Sequence, residues 1–169
     1  MRFACGVKRK SILLLAIMMA LPVSADARDS LGVFEDWGAF RDPATPRCYA
    51  IAQPHRTSSG AADWRPFAAV GTWPKKRVRG QFHVRLSRAR AEGSTVYLSI
   101  GERRFALVSG DADAWAQDAR MDAAIVAAMR SATTMSVEGR GKNGRAFSDL
   151  YVLKGAATAM DAVALGCTG

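Results

Sequence analysis

The sequence predicts a mainly β domain of antiparallel sheets packed face to face, with two short helices. Three observations predict it. Apolar and polar residues alternate with a period of two over 79–86 and 95–100. Tight turn signals such as Glu92-Gly93, Gly101-Glu102 and Lys142-Asn143-Gly144 join neighbouring segments, with no long helical crossovers between them. The inward set is mostly Val, Leu, Ile and Met, which suits a core about 10 Å thick between two sheets.

Val33, Phe34, Trp37 and Phe40 make the opening apolar, and Pro43 and Pro46 break it. Cys48 to Gln53 then reads as a strand. Residues 54–66 carry Ser58-Ser59-Gly60 and read as a polar loop. Phe67 to Trp73 is a short strand, and Trp73-Pro74-Lys75-Lys76 a turn. From Arg79 to Leu86, Phe82, Val84 and Leu86 share one face, with Gln81, His83 and Arg85 on a wet one. Thr95–Ile100 puts Val96, Leu98 and Ile100 inward and forms a hairpin with Arg103–Val108. Met121–Arg130 is alanine-rich and places Met121, Ile125, Ala128 and Met129 on one side of a helix. Thr133–Glu138 returns to strand with Met135 and Val137 inward. Asn143-Gly144 predicts a type I′ turn, after which Arg145–Leu153 pairs back. Gly155–Ala164 is a last short helix. The tally is about seven strands and two helices.

The N-terminus has a different character. Arg2, Lys8, Arg9 and Lys10 precede an apolar run from Ile12 to Val23 with Pro22 near its end, and the small-x-small site Ala25-Asp26-Ala27 follows. Basic head, apolar middle and small-residue exit predict a secretory signal over residues 1–27, cleaved after Ala27. The run falls short of the roughly 20 residues that span a bilayer, so no transmembrane anchor is expected after cleavage. Cys5 precedes the apolar run and is no lipid-attachment site. Residues 28–169 then form one domain in the periplasm or outside the cell.

Export makes the remaining cysteines informative. Cys48 and Cys167 are an even pair in an oxidising space, which favours a disulfide. Two free thiols or a metal pair are the alternatives. The whole chain carries a net charge of +9. Without the four basic residues and one acid of the leader, +6 remains. An exported protein rarely meets nucleic acid, so the charge points to an anionic envelope component. Lys75, Lys76, Arg77 and Arg79 form one cluster, and Arg85, Arg88 and Arg90 another. If their strand lies at a sheet edge, these charges discourage edge-to-edge aggregation. The functional alternative is that together they are a candidate anion-contact patch facing an envelope surface.

Few residues suggest catalysis. His55 and His83 are isolated, with no His-x-x-x-His or Cys-x-x-Cys spacing for zinc. No Gly-x-Ser-x-Gly elbow is present, and Ser109 lies in a turn. Asp111 and Asp113 are the nearest acidic pair for a glycosidase, and they lack the remaining ligands of a calcium loop. No phosphate-cradling glycine loop is present, and no cofactor is implied. Trp37 reads as core, while Trp64 and Trp115 flank polar loops where they could act as exposed anchors.

The ordered features Asp36-Trp37-Gly38, Cys48-Tyr49-Ala50-Ile51-Ala52-Gln53-Pro54, Phe105-Ala106-Leu107, Ile125 to Arg130, Asp149 to Gly155, Ala159-Met160-Asp161 and Cys167 span almost all of residues 31 to 167. The set resembles the invasion-associated locus B (IalB) family of exported alphaproteobacterial proteins. The resemblance implies an immunoglobulin-like β-sandwich in the periplasm or at the outer membrane, a link to host-cell invasion, and no catalytic motif. Two positions depart from it. Gly155-Ala156 stands where family members often have Gly-Phe, and Phe40 and Arg41 stand where many carry an additional cysteine.

The expected function is that of a non-enzymatic envelope or secreted protein acting by surface contact. Two alternatives are a periplasmic hydrolase using an acidic pair such as Asp111 or Asp113, and an inhibitor that plugs an envelope enzyme with loop 54–66.

Overall fold

A computed structural model describes Met1 and residues 28–58 and 62–167. The predicted leader at 1–27 and the Ser59-Gly60 portion of the polar loop lie outside the described residues. The strands are β1 (Asp29–Phe34), β2 (Trp37–Asp42), β3 (Arg47–Ala52), β4 (Arg56–Thr57), β5 (Phe67–Trp73), β6 (Val78–Arg85), β7 (Val96–Ile100), β8 (Arg103–Ser109), β9 (Asp113–Trp115), β10 (Thr134–Arg140) and β11 (Ala146–Val152). The helices are α1 (Ala119–Ser131) and α2 (Ala156–Gly166).

The mainly β, antiparallel reading is borne out. Every strand pairing is antiparallel, in the order β1-β2-β3-β5-β6-β9-β8-β7-β10-β11-β4. The seven-strand tally was short, and the layers are not separate sheets. The three-residue strand β9 hydrogen-bonds to both β6 and β8, joining two half-sheets into one. No helix among the described residues is long and apolar enough to cross a membrane.

The inward residues of both half-sheets and both helices form one buried cluster. Phe82, Val84, Leu86, Val96, Leu98, Ile100, Met135 and Val137 all belong to it, as their alternation predicted. Helix α2 lies over the inner side of β1, β2, β3 and β5. Its buried residues Ala156, Ala159, Met160 and Val163 are mostly small, which lets the helix approach the sheet closely. Gly155 starts it at φ +88°, where an added Cβ would fall on the Phe34 carbonyl oxygen. Only glycine takes that conformation and that contact without strain. Cys167, at the end of α2, forms a disulfide with Cys48 on the inner face of β3.

Helix α1 is capped by Asp118, whose carboxylate accepts from the Met121 N–H at 2.7 Å. It packs beside β6, where β9 pairs only with residues 83–85. Buried Asp122 accepts the otherwise unpaired Phe82 N–H at 2.7 Å. Burial raises the pKa of the Asp122 carboxyl, and the Phe82 N–H opposes that shift.

The structure corrects three local expectations. The apolar opening is a hairpin, β1–β2, which turns at Glu35-Asp36 with Glu35 at φ +53°. Loop 54–66 begins with a short strand, and the His55 N–H donates to the Leu150 carbonyl at 2.7 Å. The turn at 142–144 is not type I′, because Gly144 has positive φ and Asn143 does not. Instead the Asn143 Oδ1 accepts from the Arg145 N–H at 3.0 Å, so the side chain stabilises a different turn.

Candidate functional site

The outward side of the first half-sheet carries aliphatic and aromatic residues among a few polar ones. Cross-strand register places Val33, Gly38, Ile51, Ala69, His83, Trp115 and Val108 in one row over β1, β2, β3, β5, β6, β9 and β8. Beside it run Phe40, Tyr49, Gly71 and Gln81. On the other side, Phe67, Arg85 and Asp113 are in register. Val33 and Val108, at the two ends of the central row, are 72% and 54% exposed. Most inward residues of the same strands are buried, while the outward side mixes these apolar and aromatic residues with Gln81, His83, Arg85 and Asp113.

Small residues make the centre of this face shallow and aromatic rings bound it. One groove of ≈ 240 Å³ is lined by Arg47, Tyr49, Ala69, Gly71, Trp73 and His83 among others. A wider depression of ≈ 790 Å³ continues from it past Val33, Gly38, Phe40, Pro54 and Arg65. The two share Arg28, Ile51 and Phe67. Six inter-strand steps make the central row roughly 30 Å long.

The aromatic side chains hold each other in place. His83 stacks on Trp115 with centroids 5.1 Å apart and meets Phe67 edge-on at 5.2 Å. Its Nε2 is 2.9 Å from Asp113 Oδ1. Phe40 packs against Tyr49 at 5.8 Å, and the Arg47 guanidinium lies 5.0 Å from the Tyr49 ring. Arg47 and Arg28 also share Asp42, at 3.4 and 3.8 Å. The Asp42 carboxyl is held below its usual pKa by the Thr45 N–H and then by Arg47, against some desolvation.

The structure splits the candidate anion-contact patch. Lys75, Lys76 and Arg77 are exposed at the β5–β6 turn, where Arg77 adopts φ +56°. Arg79 lines a separate ≈ 150 Å³ cavity beside the helices, with Val126, Arg130 and Met160. Arg85 lies over the Trp64 ring at 5.4 Å, and Arg88 reaches Asp63 at 3.4 Å. Arg90 donates to the carbonyls of Gly110, Ala91, Ser94 and Ser109, at 2.9 to 3.3 Å. That arginine holds loops together and is committed inward. Strand β6 is flanked by β9 only at residues 83–85, so Arg85 lies inside the sheet while Arg79 lies on the part of β6 with no strand on that side.

Asp111 and Asp113 do not converge on a cleft. Asp111 is exposed and pairs with Lys142 at 2.8 Å, while Asp113 faces His83. His55 borders the wider depression, far from His83 in the sheet order. Among the described residues, no three His, Cys, Asp or Glu side chains are placed to hold a metal.

Two polar groups escaped sequence reading. Asp149 and Tyr151 on β11 are fully buried. Asp149 Oδ2 accepts from the Ser87 N–H at 3.0 Å. Burial raises the pKa of Asp149, and burial with the neighbouring Asp149 carboxyl raises that of Tyr151. Alternation does place 147, 149 and 151 on one face, so Asp149 could have been read as an inward acid. A scan against protein-family models, a search of curated proteins and a search of solved structures each find no match.

Proposed function

We propose that this chain is an exported, non-enzymatic envelope or secreted protein of the invasion-associated locus B kind, acting by surface contact through the outward face of its first half-sheet. The observation that carries this reading is the largely apolar row from Val33 to Val108, which crosses seven strands and is 72% and 54% exposed at its two ends. Burying such a face against a partner is favourable at about 25 cal/mol per Å² of apolar area, before the costs of association. The Cys48–Cys167 disulfide supports a working life in an oxidising space.

Fractionation of the native host tests it. The chain should be recovered from the periplasm or the medium, starting near residue 28, with Cys48 and Cys167 joined. It should co-sediment with envelope fragments, less so as salt rises. Recovery from the cytoplasm with the leader attached and both thiols reduced contradicts the reading. So does turnover of an envelope substrate that disappears when one polar residue is changed.

A further inference from the structure

We infer that the groove on this face takes an acidic polysaccharide laid across the strands. Its sugar rings stack on Trp73 and Phe40, and its carboxylates meet Arg28, Arg47 and Arg65. The inference rests on the surface-contact reading and names the chemistry of the partner.

Ring orientation is the first reason. A Cβ at Gly71 would lie 2.6 Å from the Trp73 ring, and one at Gly38 would lie 2.6 Å from the Phe40 ring. Each ring therefore lies along its own strand, over the glycine two residues before it, and does not stand up from the sheet. A ring lying flat turns a broad face away from the strand. The C–H face of a sugar stacks on such a platform, and both surfaces are apolar.

Shape is the second. The two depressions follow the row from Val33 to His83, four strand steps or roughly 20 Å, and Ala69 keeps their middle shallow. That form suits an extended polymer better than a compact small molecule. The long axis also runs across the strands, whose N–H and C=O groups are spent within the ladder. A polypeptide there would find no edge to join, and its own backbone groups would lose water without gaining partners. A polysaccharide carries its hydroxyls at the ring edges, where solvent still reaches them.

Charge is the third. Arg28 borders both parts of the groove, Arg47 the narrow part and Arg65 the wide part. Asp42 sits between Arg28 and Arg47 and Asp36 lines the wide part, so the three arginines exceed the nearby acids by one charge. The Arg47 Nε–H is buried without an acceptor among the described residues. Cleavage after Ala27 would add an α-ammonium group to Arg28 itself.

The test uses the full chain, exported and processed by a bacterial host. Polygalacturonate is titrated into it and followed by tryptophan fluorescence and calorimetry, with dextran as the neutral polysaccharide and polyglutamate as the acidic peptide. Polygalacturonate should bind, more weakly as salt rises, and at least about tenfold more tightly than either control. Trp73→Ala should weaken binding about tenfold or more, while Tyr97→Ala on the other half-sheet leaves it unchanged. Arg65→Gln alters an exposed residue and keeps the test open if Trp73→Ala fails to fold; it should weaken binding about threefold and flatten the salt dependence.

Equal binding of dextran or polyglutamate overturns the inference, as does indifference to both groove substitutions. So does a concentration-dependent dimer that hides Trp73. If the chain sediments with envelopes but ignores polygalacturonate, the polysaccharide inference fails and the surface-contact reading stands. If it binds neither, both fail.

Discussion

The two half-sheets of this protein have similar inner faces and opposite outer ones. Inward, both present medium-sized apolar residues to one shared core. Outward, the second half-sheet sets Ser148, Glu138, Tyr97 and Ala106 in one row and Leu150, Ser136, Ser99 and Arg104 in the next. Arg104 lies 4.0 Å from the Tyr97 ring and 3.8 Å from Glu138, and the Ser136 hydroxyl donates to Glu138 at 2.9 Å. That is an ordinary polar surface, with these polar groups paired to one another. The first half-sheet places Ile51, Phe67, Trp73 and Trp115 where the second places Ser, Glu and Arg. Folding needs only one apolar face per sheet. An aliphatic and aromatic row on the outer face, exposed at both ends, is therefore surplus to folding and points to contact with something else.

The largest expected effect comes from cutting the staple of the first half-sheet. The disulfide ties β3 to the end of α2 over 119 residues. Replacing Cys48 and Cys167 together by alanine should lower the unfolding free energy by about 4–5 kcal/mol on the chain-entropy account, measured by urea denaturation. Hydrogen exchange should accelerate more in β1–β3 than in β10–β11. Uniform acceleration would mean that the two halves share stability more evenly than their connections imply.

A charge placed on each outer face gives the next contrast. Ala69 is 8% exposed on the floor of the groove, between Ile51 and His83. Ala69→Glu should cost about 1–3 kcal/mol through overpacking and desolvation. Ser99→Glu, at the middle of the polar face, should stay within about 0.5 kcal/mol. Equal costs in thermal or urea melts would erase the distinction between the faces.

Much of this architecture was legible in the sequence. The alternation in 79–86 and 95–100 located two inner strands and their inward residues, because a half-buried strand repeats every two residues. The even cysteine pair anticipated the disulfide. The β1–β2 hairpin was missed because Gly32 and Gly38 interrupt its pattern and the prolines after it suggested an irregular start. Strands β4 and β9 have two and three residues, and their partners, not their composition, make them strands. The outward row was invisible for a related reason. Its members come from seven strands and meet only through register, and an outward Trp73 reads in sequence like a core one. Arg90 looked like part of a surface charge cluster, because nothing local announces four carbonyls brought from two loops.

The smallest effect concerns acid. Asp149 lies in the core of the second half-sheet, with its pKa raised by burial. Its contribution to stability is fully present below the unfolded carboxyl pKa, about 3.9, and is lost as pH rises through the higher folded value. Asp42 beside the groove is lowered, so its contribution holds at neutral pH and is lost as pH falls through its folded value. Asp149→Asn keeps an acceptor for the Ser87 N–H and removes the ionisation cost. It should match the parent at low pH and exceed it in stability at neutral pH. The opposite sign would mean that the buried carboxylate is compensated by its neighbours.

The most direct test of the central claim is oxidative footprinting of the chain bound to envelope fragments from its native host, read by mass spectrometry at low and high salt. The account predicts that Tyr49, Trp73 and Trp115 are protected at low salt and released at high salt, while Tyr97 reacts equally throughout. Protection of Tyr97 with the first half-sheet left reactive would contradict it.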